Sequence, residues 1–202
     1  MSQMVHSMSG LTKEDREMLA KMPKETLLEL FSMQIRNIWR VDGLYFLGIE
    51  EKFGTDAATE IDTNCWKVLG KLEARELKTL LGIEENGIPA LLHALSNTSW
   101  SLYQEEKQVE TSPSKGIYRV TKCQVQEARI AKELGVFPCK NVRFSYLKAF
   151  TQEFNPNIIV SCRVAPPDQR RENSWCEWEF TLSLDKSRRI YPQVRSCLLK
   201  PR

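Results

Sequence analysis

The sequence predicts an α+β protein in which an N-terminal helical half packs on a small antiparallel sheet with two inserted helices. Apolar residues recur at helical spacing through the first half of the chain. In the second half, two pairs of segments rich in β-branched and aromatic residues flank two further helical segments. Each pair of strands is joined by a short connection, which favours antiparallel pairing over a parallel sheet.

The first helices are predicted from residues that begin or end helices. Thr12 is followed by acidic residues, as is typical of a helix N-terminus, and Pro23 ends or restarts that helix. A long helix is then expected from 24 to about 53, with a bend at Gly43 and an end at Gly54. The residues of this helix that recur at helical spacing, and so are expected to face the core, are Leu27, Phe31, Ile35, Ile38, Trp39, Tyr45, Phe46, Ile49 and Phe53.

Two further helices complete the helical half. Asp56 is the expected N-cap of a helix that Gly82 ends, and Pro89 lies in the first turn of a short helix from 88 to 96. The apolar residues of the first of these two helices are Ile61, Cys65, Val68, Leu69 and Leu72.

The second half is predicted to alternate between pairs of strands and pairs of helices. The predicted strands are 100–109, 116–121, 158–164 and 174–184, and helices at 123–134 and 142–153 lie between the second and third strands. The chain then divides into an N-terminal extension with a short helix (1–22), a helical subdomain (23–98), an α+β subdomain (99–185) and a basic tail (186–202). We expect the tail to pack poorly.

Composition excludes several classes of protein. The formal net charge is only +3, so no nucleic-acid partner is expected. No run of eighteen apolar residues and no secretory signal are found, which predicts a cytoplasmic protein with no membrane partner. The six cysteines are therefore expected to be reduced, and none forms a Cys-x-x-Cys pair. The expected partner is a small-molecule ligand, and a homodimer is the candidate assembly.

Asp42 is the first residue to suggest chemistry, because it lies on the same helical line as Ile38 and Phe46. A carboxylate that faces the core must be paired, hydrogen-bonded or protonated. Together with Glu50 and Asp62, Asp42 could hold a metal or serve in acid–base catalysis.

The alternative for Asp42, which we favour, is structural. In this interpretation the carboxylate anchors a neighbouring helix through an arginine such as Arg36, Arg40 or Arg75. With only two histidines in the chain, histidine-based metal sites and catalytic triads are nearly excluded.

Cys123 and Cys139 are the candidate reactive thiols. Each is adjacent to a lysine, Lys122 or Lys140, and Cys123 is expected near a helix N-terminus. Both features lower the pKa of a thiol and favour the thiolate, which is the nucleophile and the metal ligand.

Cys162 and Cys176 fall on predicted strands. Strand alternation places both on apolar faces, where a cysteine is typically a small buried hydrophobic residue. We expect at least three of the four cysteines of the second half to converge within about 10 Å, the spacing of packed layers.

The strand that contains Glu177 has two interpretations. Alternation places Trp175, Glu177 and Glu179 on one face and Cys176 and Trp178 on the other. The first face is either a solvated sheet surface or the floor of a pocket, where apolar walls would raise the pKa of a carboxyl group.

Several motifs of the chain resemble a known family. They are Trp39-Arg40-Val41-Asp42-Gly43-Leu44-Tyr45-Phe46, Glu50, Gly54, Asp62, Trp66, Cys123-Gln124-Val125-Gln126-Glu127-Ala128-Arg129, Phe137-Pro138-Cys139-Lys140, Pro166-Pro167-Asp168 and Trp175-Cys176-Glu177-Trp178. Over about residues 25–182 this pattern resembles an uncharacterised family of cytosolic proteins from anaerobic archaea and bacteria. That family is distantly similar to aminothiazoline-carboxylate hydrolase-like proteins and to a small-molecule-binding vinyl-reductase-like domain. The chain departs from the pattern at Ala165, where a second cysteine is expected shortly before the Pro-Pro-Asp motif.

The residues and the resemblance together lead to a small-molecule-binding domain, with hydrolysis of amide-like or thiazoline-like bonds as the candidate activity. The catalytic candidates are Cys139 and Cys123 as nucleophile and Glu177 as general base. The binding candidates are Asp168, Arg129, Trp175, Trp178 and Asp42, and the metal candidates are Cys123, Cys139 and Cys162 with zinc or iron. The alternative is a non-catalytic metal- or redox-sensing module that uses cysteine thiolates, and a third hypothesis is a structural partner protein.

Overall fold

The structure, a computed structural model, describes residues 10–170 and 173–183, and it confirms the predicted α+β class. The predicted basic tail lies outside the described residues. The helices are α1 (Lys13–Ala20), α2 (Lys24–Leu80), α3 (Ile88–Ser96), α4 (Ser99–Tyr103), α5 (Gln124–Ala131) and α6 (Lys140–Phe154), and the strands are β1 (Glu106–Thr111), β2 (Lys115–Lys122), β3 (Ile158–Val164) and β4 (Cys176–Leu182).

Helix α1 begins where the sequence predicts it. The Thr12 hydroxyl accepts a hydrogen bond from the Asp15 backbone N–H at 3.1 Å, and the Asp15 carboxylate accepts one from the Thr12 N–H at 3.1 Å. This reciprocal pair is a capping box, which satisfies N–H groups that the first turn of a helix leaves without a partner.

Helix α2 is divided at Gly54, whose backbone angles of φ 85° and ψ 165° are not helical. Only glycine adopts this conformation readily, so the predicted helix end at Gly54 is confirmed. Gly43 keeps helical angles, and the bend expected there is not found. The Trp39 and Trp66 rings stack with centroids 4.9 Å apart, although a straight helix would separate them by about 40 Å. The first arm (24–53) and the second arm (55–80) therefore lie side by side.

The two arms of α2 differ in which of their residues are buried. In the first arm only Ile35, Trp39 and Phe46 are buried, whereas predicted core residues such as Phe31 and Tyr45 are exposed. The second arm buries every fourth residue, which gives a narrow stripe of mostly small side chains toward the rest of the protein. That stripe consists of Ala58, Asp62, Trp66, Gly70 and Ala74.

The four strands form one antiparallel sheet in the order β1-β2-β4-β3. Its inner face is apolar and contributes Tyr118, Trp178 and Phe180 to the core. Helices α5 and α6 are inserted between β2 and β3, as predicted, and α6 packs along α2 on one side and against β3 on the other. None of the helices that the structure describes is both long and apolar enough to cross a membrane.

The segment around Trp100 differs from its prediction as a strand. Thr98 caps α4 by accepting a hydrogen bond from the Ser101 N–H at 3.2 Å, and the strand begins only at Glu106. Trp100 is buried because α4 directs it at the Tyr118 ring, 4.7 Å away between centroids. A local cap therefore overrides the strand preference of an aromatic residue.

Candidate ligand-binding cavity

A cavity of about 350 Å³ lies between the arms of α2, α5 and the segment that follows α5. Its lining is mostly apolar: Trp39, Gly43, Leu44, Phe46, Leu47, Tyr103, Val125, Ala128, Leu134 and Phe137, with Arg40, Asp42, Asp62, Arg129 and Lys132 as the charged residues. Trp39, Phe46 and Asp62 are buried, so they form the floor. Arg40, Leu44, Ala128, Lys132 and Leu134 are exposed and form the mouth.

Two carboxyl groups meet at this cavity because α2 reverses at Gly54. Asp42 is half-buried in the first arm, and Asp62 is buried in the second. The Trp66 indole N–H donates to Asp42 Oδ1 at 3.2 Å, which ties the two arms together. Asp42 thus has a hydrogen-bonding partner from the other arm, although it is less buried than its place on the helical line predicts.

Burial raises the pKa of both aspartates. Desolvation is the largest cause in each case, and the charge of Asp42 raises the pKa of Asp62 further, to about 7. The two side chains also hydrogen-bond to each other, and this bond lowers the pKa of Asp42 while it raises that of Asp62. Of the two carboxyl groups, Asp62 therefore has the larger rise in pKa.

The cation whose charge acts on both carboxyl groups is Arg143 of α6, and it lowers the pKa of each. Its guanidinium lies 4.5 Å from the ring centroid of Trp100, 4.7 Å from that of Trp66 and 4.9 Å from that of Tyr146. Such contacts hold a cation by the negative faces of the rings. Arg143 Nη1 is buried without a hydrogen-bond partner among the described residues.

Two of the arginines that the sequence suggested as partners of Asp42 have other partners. Arg75 pairs with Glu153 at 2.6 Å, and Arg40 donates to Asn37 at 3.1 Å. The signal that singled out Asp42, a charged residue on a core-facing helical line, also marks Arg143, which lies on the buried face of α6. Sequence reasoning did not apply that signal to α6.

Arg129, a predicted binding residue, does line the cavity. Its guanidinium is held by the Glu50 carboxylate through bonds of 2.9 and 3.1 Å, and burial of both side chains protects the pair from solvent. Hydrogen bonding by Arg129 lowers the pKa of Glu50. Glu50 is therefore engaged with α5 and does not join Asp42 and Asp62, so two of the three acids meet.

The surroundings of the two predicted reactive thiols, Cys123 and Cys139, disfavour the thiolate. Burial raises the pKa of Cys123, and it raises the pKa of Cys139 to about 12. The neighbouring lysines do not offset this effect because Lys122 pairs with Glu105 and Lys140 pairs with Asp168. The expectation of lowered thiol pKa values is wrong, since desolvation outweighs the helix N-termini.

Neighbouring thiols raise the pKa values of two of the four cysteines of the second half. Cys123 raises the pKa of Cys139, and Cys139 and Cys123 raise that of Cys176, so these three residues lie near each other. Cys162 instead has Lys140 and Asp168 as its charged neighbours. Within 10–170 and 173–183, no three His, Cys, Asp or Glu side chains are grouped so as to hold a metal ion. Cys123, Cys139 and Cys162 therefore do not fit a zinc or iron site in this arrangement.

Glu177 lies on the outer face of the sheet, opposite to its neighbour Cys176. Arg119 Nε donates to Glu177 Oε2 at 2.7 Å, and Arg163 Nη1 donates to Oε1 at 3.3 Å. Burial acts to raise the pKa of Glu177, but these two arginines outweigh it and the pKa is lowered. The expectation of a raised pKa for Glu177 is wrong, and its role as a general base stays a prediction.

The other predicted binding residues are also away from the cavity. Asp168 forms an exposed ion pair with Lys140, with a distance of 2.8 Å between Oδ2 and Nζ. Trp178 is fully buried in the core, and Trp175 is covered by Arg170, 4.2 Å from its ring centroid. Asp42 and Arg129 are thus the two predicted binding residues that the structure brings to one cavity.

Comparison with curated proteins and with solved structures gave no significant match. A family model described as a family of unknown function matches residues 20–182. The matched segment contains both arms of α2, the cavity and all four strands. Because it covers most of the chain, the protein belongs to this family of unknown function, DUF6125.

Proposed function

We propose that the protein binds a small organic molecule in the cavity between α2 and α5. The observation that carries the proposal is the combination of about 350 Å³ of space, an apolar lining and two hydrogen-bonded carboxyl groups. Ligand sites typically have this volume and join apolar walls to a few polar groups that orient the ligand.

The arrangement of the lining supports this function. The buried rings of Trp39 and Phe46 offer an apolar surface at the floor, and Phe137 meets Phe46 edge-on with centroids 4.8 Å apart. The exposed side chains at the mouth leave a route for a ligand from solvent. A molecule that covers the rings would gain roughly 25 cal/mol for each Å² of apolar surface removed from water.

Indole is a suitable first probe, because it is compact and aromatic and has one N–H that can donate a hydrogen bond to a carboxylate. We expect calorimetry to show saturable binding of indole by the full chain. Ala128→Trp should abolish that binding, since the new ring would occupy the mouth of the cavity. Ile130→Trp is the matched control on the same helix, because Ile130 is exposed and does not line the cavity. Equal binding by wild type and Ala128→Trp would place the indole elsewhere and contradict the proposal.

A second candidate is hydrolysis of an amide-like or thiazoline-like bond by the two aspartates. What favours it is their division of roles, because a protonated Asp62 beside an ionised Asp42 supplies one acid and one base. Asp42 would take a proton from the attacking water while Asp62 gives one to the leaving nitrogen. Release of the amine from a panel of small amides and thiazolines tests this candidate. Loss of turnover in both Asp42→Asn and Asp62→Asn is the expected result, and turnover that survives both changes would contradict it.

The thiol-based alternative, a metal- or redox-sensing module, would rest on Cys123, Cys139 and Cys176. Their mutual proximity is its support, and their raised pKa values argue against reactive thiolates at neutral pH. Elemental analysis of protein purified without oxygen would test it. One equivalent of bound zinc or iron would favour the module over the carboxyl-based cavity.

A further inference from the structure

The charges around the cavity floor restrict the chemistry of its ligand. Asp42 and Asp62 come from the two arms of α2, and the charge of Arg143 of α6 acts on both. One positive charge balances one carboxylate, so the second carboxyl group must hold a proton or meet another cation. The cavity opens directly on this second group.

The remaining charged residues of the cavity do not supply that cation. Arg129 is neutralised by Glu50 through its two hydrogen bonds. Arg40 and Lys132 are exposed at the mouth, where water screens their charges. Tyr103, from α4, completes the titratable groups of the lining, and its own pKa is raised by burial, so it stays neutral.

The floor also carries rings that suit a cation. Trp39 stacks between Tyr103 and Trp66, with centroids 4.9 Å away in each case, so its ring faces are engaged. The half-buried Tyr103 is the ring that lines the cavity with a face available beside the carboxyl pair. Ring faces attract ammonium groups, most strongly where water is excluded. Arg143 shows the same principle behind the floor, where it lies against Trp66 and Trp100.

We propose that the cavity binds a small protonated amine, with its ammonium group at Asp42 and Asp62 and its apolar body against Trp39, Tyr103 and Phe46. The inference rests on the proposed binding function and names its ligand class. The ammonium replaces the proton of Asp62, so that binding releases one proton to solvent. An alcohol of the same shape could accept a hydrogen bond but would bring no charge, and a carboxylate would be repelled by Asp42.

Proton release makes the affinity depend on pH. Because the Asp62 carboxyl group has a pKa of about 7, it must be deprotonated for the amine to bind at lower pH. Affinity should therefore rise with pH, by up to about tenfold per pH unit below this value, and level off above it. An alcohol, which leaves the proton in place, should show no such rise.

The test compares three ligands with one aromatic body: phenethylamine, phenethyl alcohol and phenylacetate. Calorimetry on the full chain at about pH 6 and about pH 8 should show tighter binding of the amine at the higher pH, by roughly tenfold. The alcohol should bind at least about tenfold more weakly than the amine at about pH 8, and phenylacetate should not bind.

Asp62→Asn should weaken amine binding and remove its dependence on pH, while leaving binding of the alcohol in place. Asp56→Asn, an exposed aspartate on the same arm, is the matched control and should preserve both the affinity and the pH effect. Asp42→Asn provides a second variant if Asp62→Asn does not fold. Both variants are compared with wild type only after circular dichroism has shown the native helix content.

Two outcomes would overturn the inference. Binding of the alcohol or of phenylacetate as tight as that of the amine would remove the ligand class but keep the cavity, provided Ala128→Trp blocks that binding. Failure of indole and of all three ligands to bind would remove both the inference and the proposed function.

Discussion

Asp42 and Asp62 show how a pair of residues can differ in chemistry although both are aspartates. Desolvation raises the pKa of both, and the Trp66 N–H lowers the pKa of both. The charge of Asp42 and the hydrogen bond between the two side chains raise the pKa of Asp62, whereas that same bond lowers the pKa of Asp42. The pKa of Asp62 is therefore raised further than that of Asp42.

The thiols give a prediction at the scale of single residues. Cys65 is exposed on α2, whereas burial raises the pKa of Cys123, Cys139 and Cys176. Site-by-site mass spectrometry after iodoacetamide treatment of the native protein should show rapid labelling of Cys65 and slow labelling of the other three. Labelling in urea, where all thiols are exposed, is the control. If Cys139 or Cys123 reacted faster than Cys65, the cysteine nucleophile would regain its support.

These residues also show what a sequence can and cannot supply at this scale. The place of Asp42 on a core-facing line was visible, because it follows from a local helical repeat. The cation whose charge acts on it, Arg143, lies in a helix of the other half of the chain, so only the packed structure brings the two near each other. The expected low pKa of Cys139 failed for the same reason: its lysine neighbour could be seen in the sequence, but its burial could not.

At the scale of elements, the reversal of α2 depends on Gly54. Its φ of 85° is a conformation that L-residues adopt at a cost of about 1–3 kcal/mol, although no neighbouring atom would block a Cβ. Gly54→Ala should therefore lower the free energy of unfolding by about this amount, as measured by urea denaturation. Gly48→Ala is the matched control, because Gly48 is helical with open space around it, and it should stabilise by about 0.5–1 kcal/mol. Equal effects of the two substitutions would contradict the role of Gly54.

The packing of α2 on α6 depends on another glycine. A Cβ at Gly70 would lie 2.6 Å from the backbone oxygen of Tyr146, so the two helices would have to move apart. Gly70→Ala should destabilise the fold by about 1–3 kcal/mol despite the better helix propensity of alanine. Denaturation beside the Gly48→Ala control measures this effect. A stabilised Gly70→Ala protein would show that the helices pack less closely.

The elements divide clearly into those that local patterns predict and those that they do not. The β-branched run predicted as a strand forms β3, with the predicted bounds, because its alternation is strong. The segment at Trp100 became a helix instead, since the Thr98 cap is a local signal that the strand prediction left out. The wide apolar stripe of the first arm was predicted to be core throughout, but only Ile35, Trp39 and Phe46 of it are buried. Trp39 stacks on Tyr103 of α4, and Phe46 meets Phe137 of the segment that follows α5.

At the scale of the whole molecule, the sheet separates two kinds of chemistry. Its inner face joins the apolar core, whereas its outer face carries Glu177 and Glu179 with their basic partners Arg119, Arg163 and Lys115. Adjacent residues of one strand point to opposite faces, so Cys176 and Glu177 lie on opposite sides of the sheet. The cavity lies among the helices instead, and no single sequence motif marks its position.

The pH dependence of stability follows from these placements. Glu50, Glu153, Glu177, Glu179 and Asp168 have lowered pKa values, so their contribution is lost as the pH falls through those values. Asp62 behaves in the opposite way. Its raised pKa favours the folded state while it is protonated, and this contribution is lost as the pH rises from about 4 to about 7.

Asp62→Asn isolates that contribution, because asparagine keeps the shape without the charge. The difference in free energy of unfolding between the variant and wild type should shift in favour of the variant by about 1–4 kcal/mol as the pH rises from about 5 to about 8. Urea denaturation at each pH measures this difference. Asp56→Asn serves as the exposed control and should leave the wild-type curve in place. Parallel curves for wild type and Asp62→Asn would mean that Asp62 ionises without cost.

In the proposed amine site, the cavity floor holds a carboxyl pair with one proton that a cationic ligand replaces. Carbon NMR of the aspartate carboxyl groups, with Asp62 assigned through Asp62→Asn, measures that proton directly. The Asp62 signal should titrate with a pKa of about 7 in the free protein and at distinctly lower pH when phenethylamine is present. A pKa for Asp62 in the ordinary aspartate range near 4, or one that phenethylamine at saturating concentration leaves unchanged, would contradict the claim.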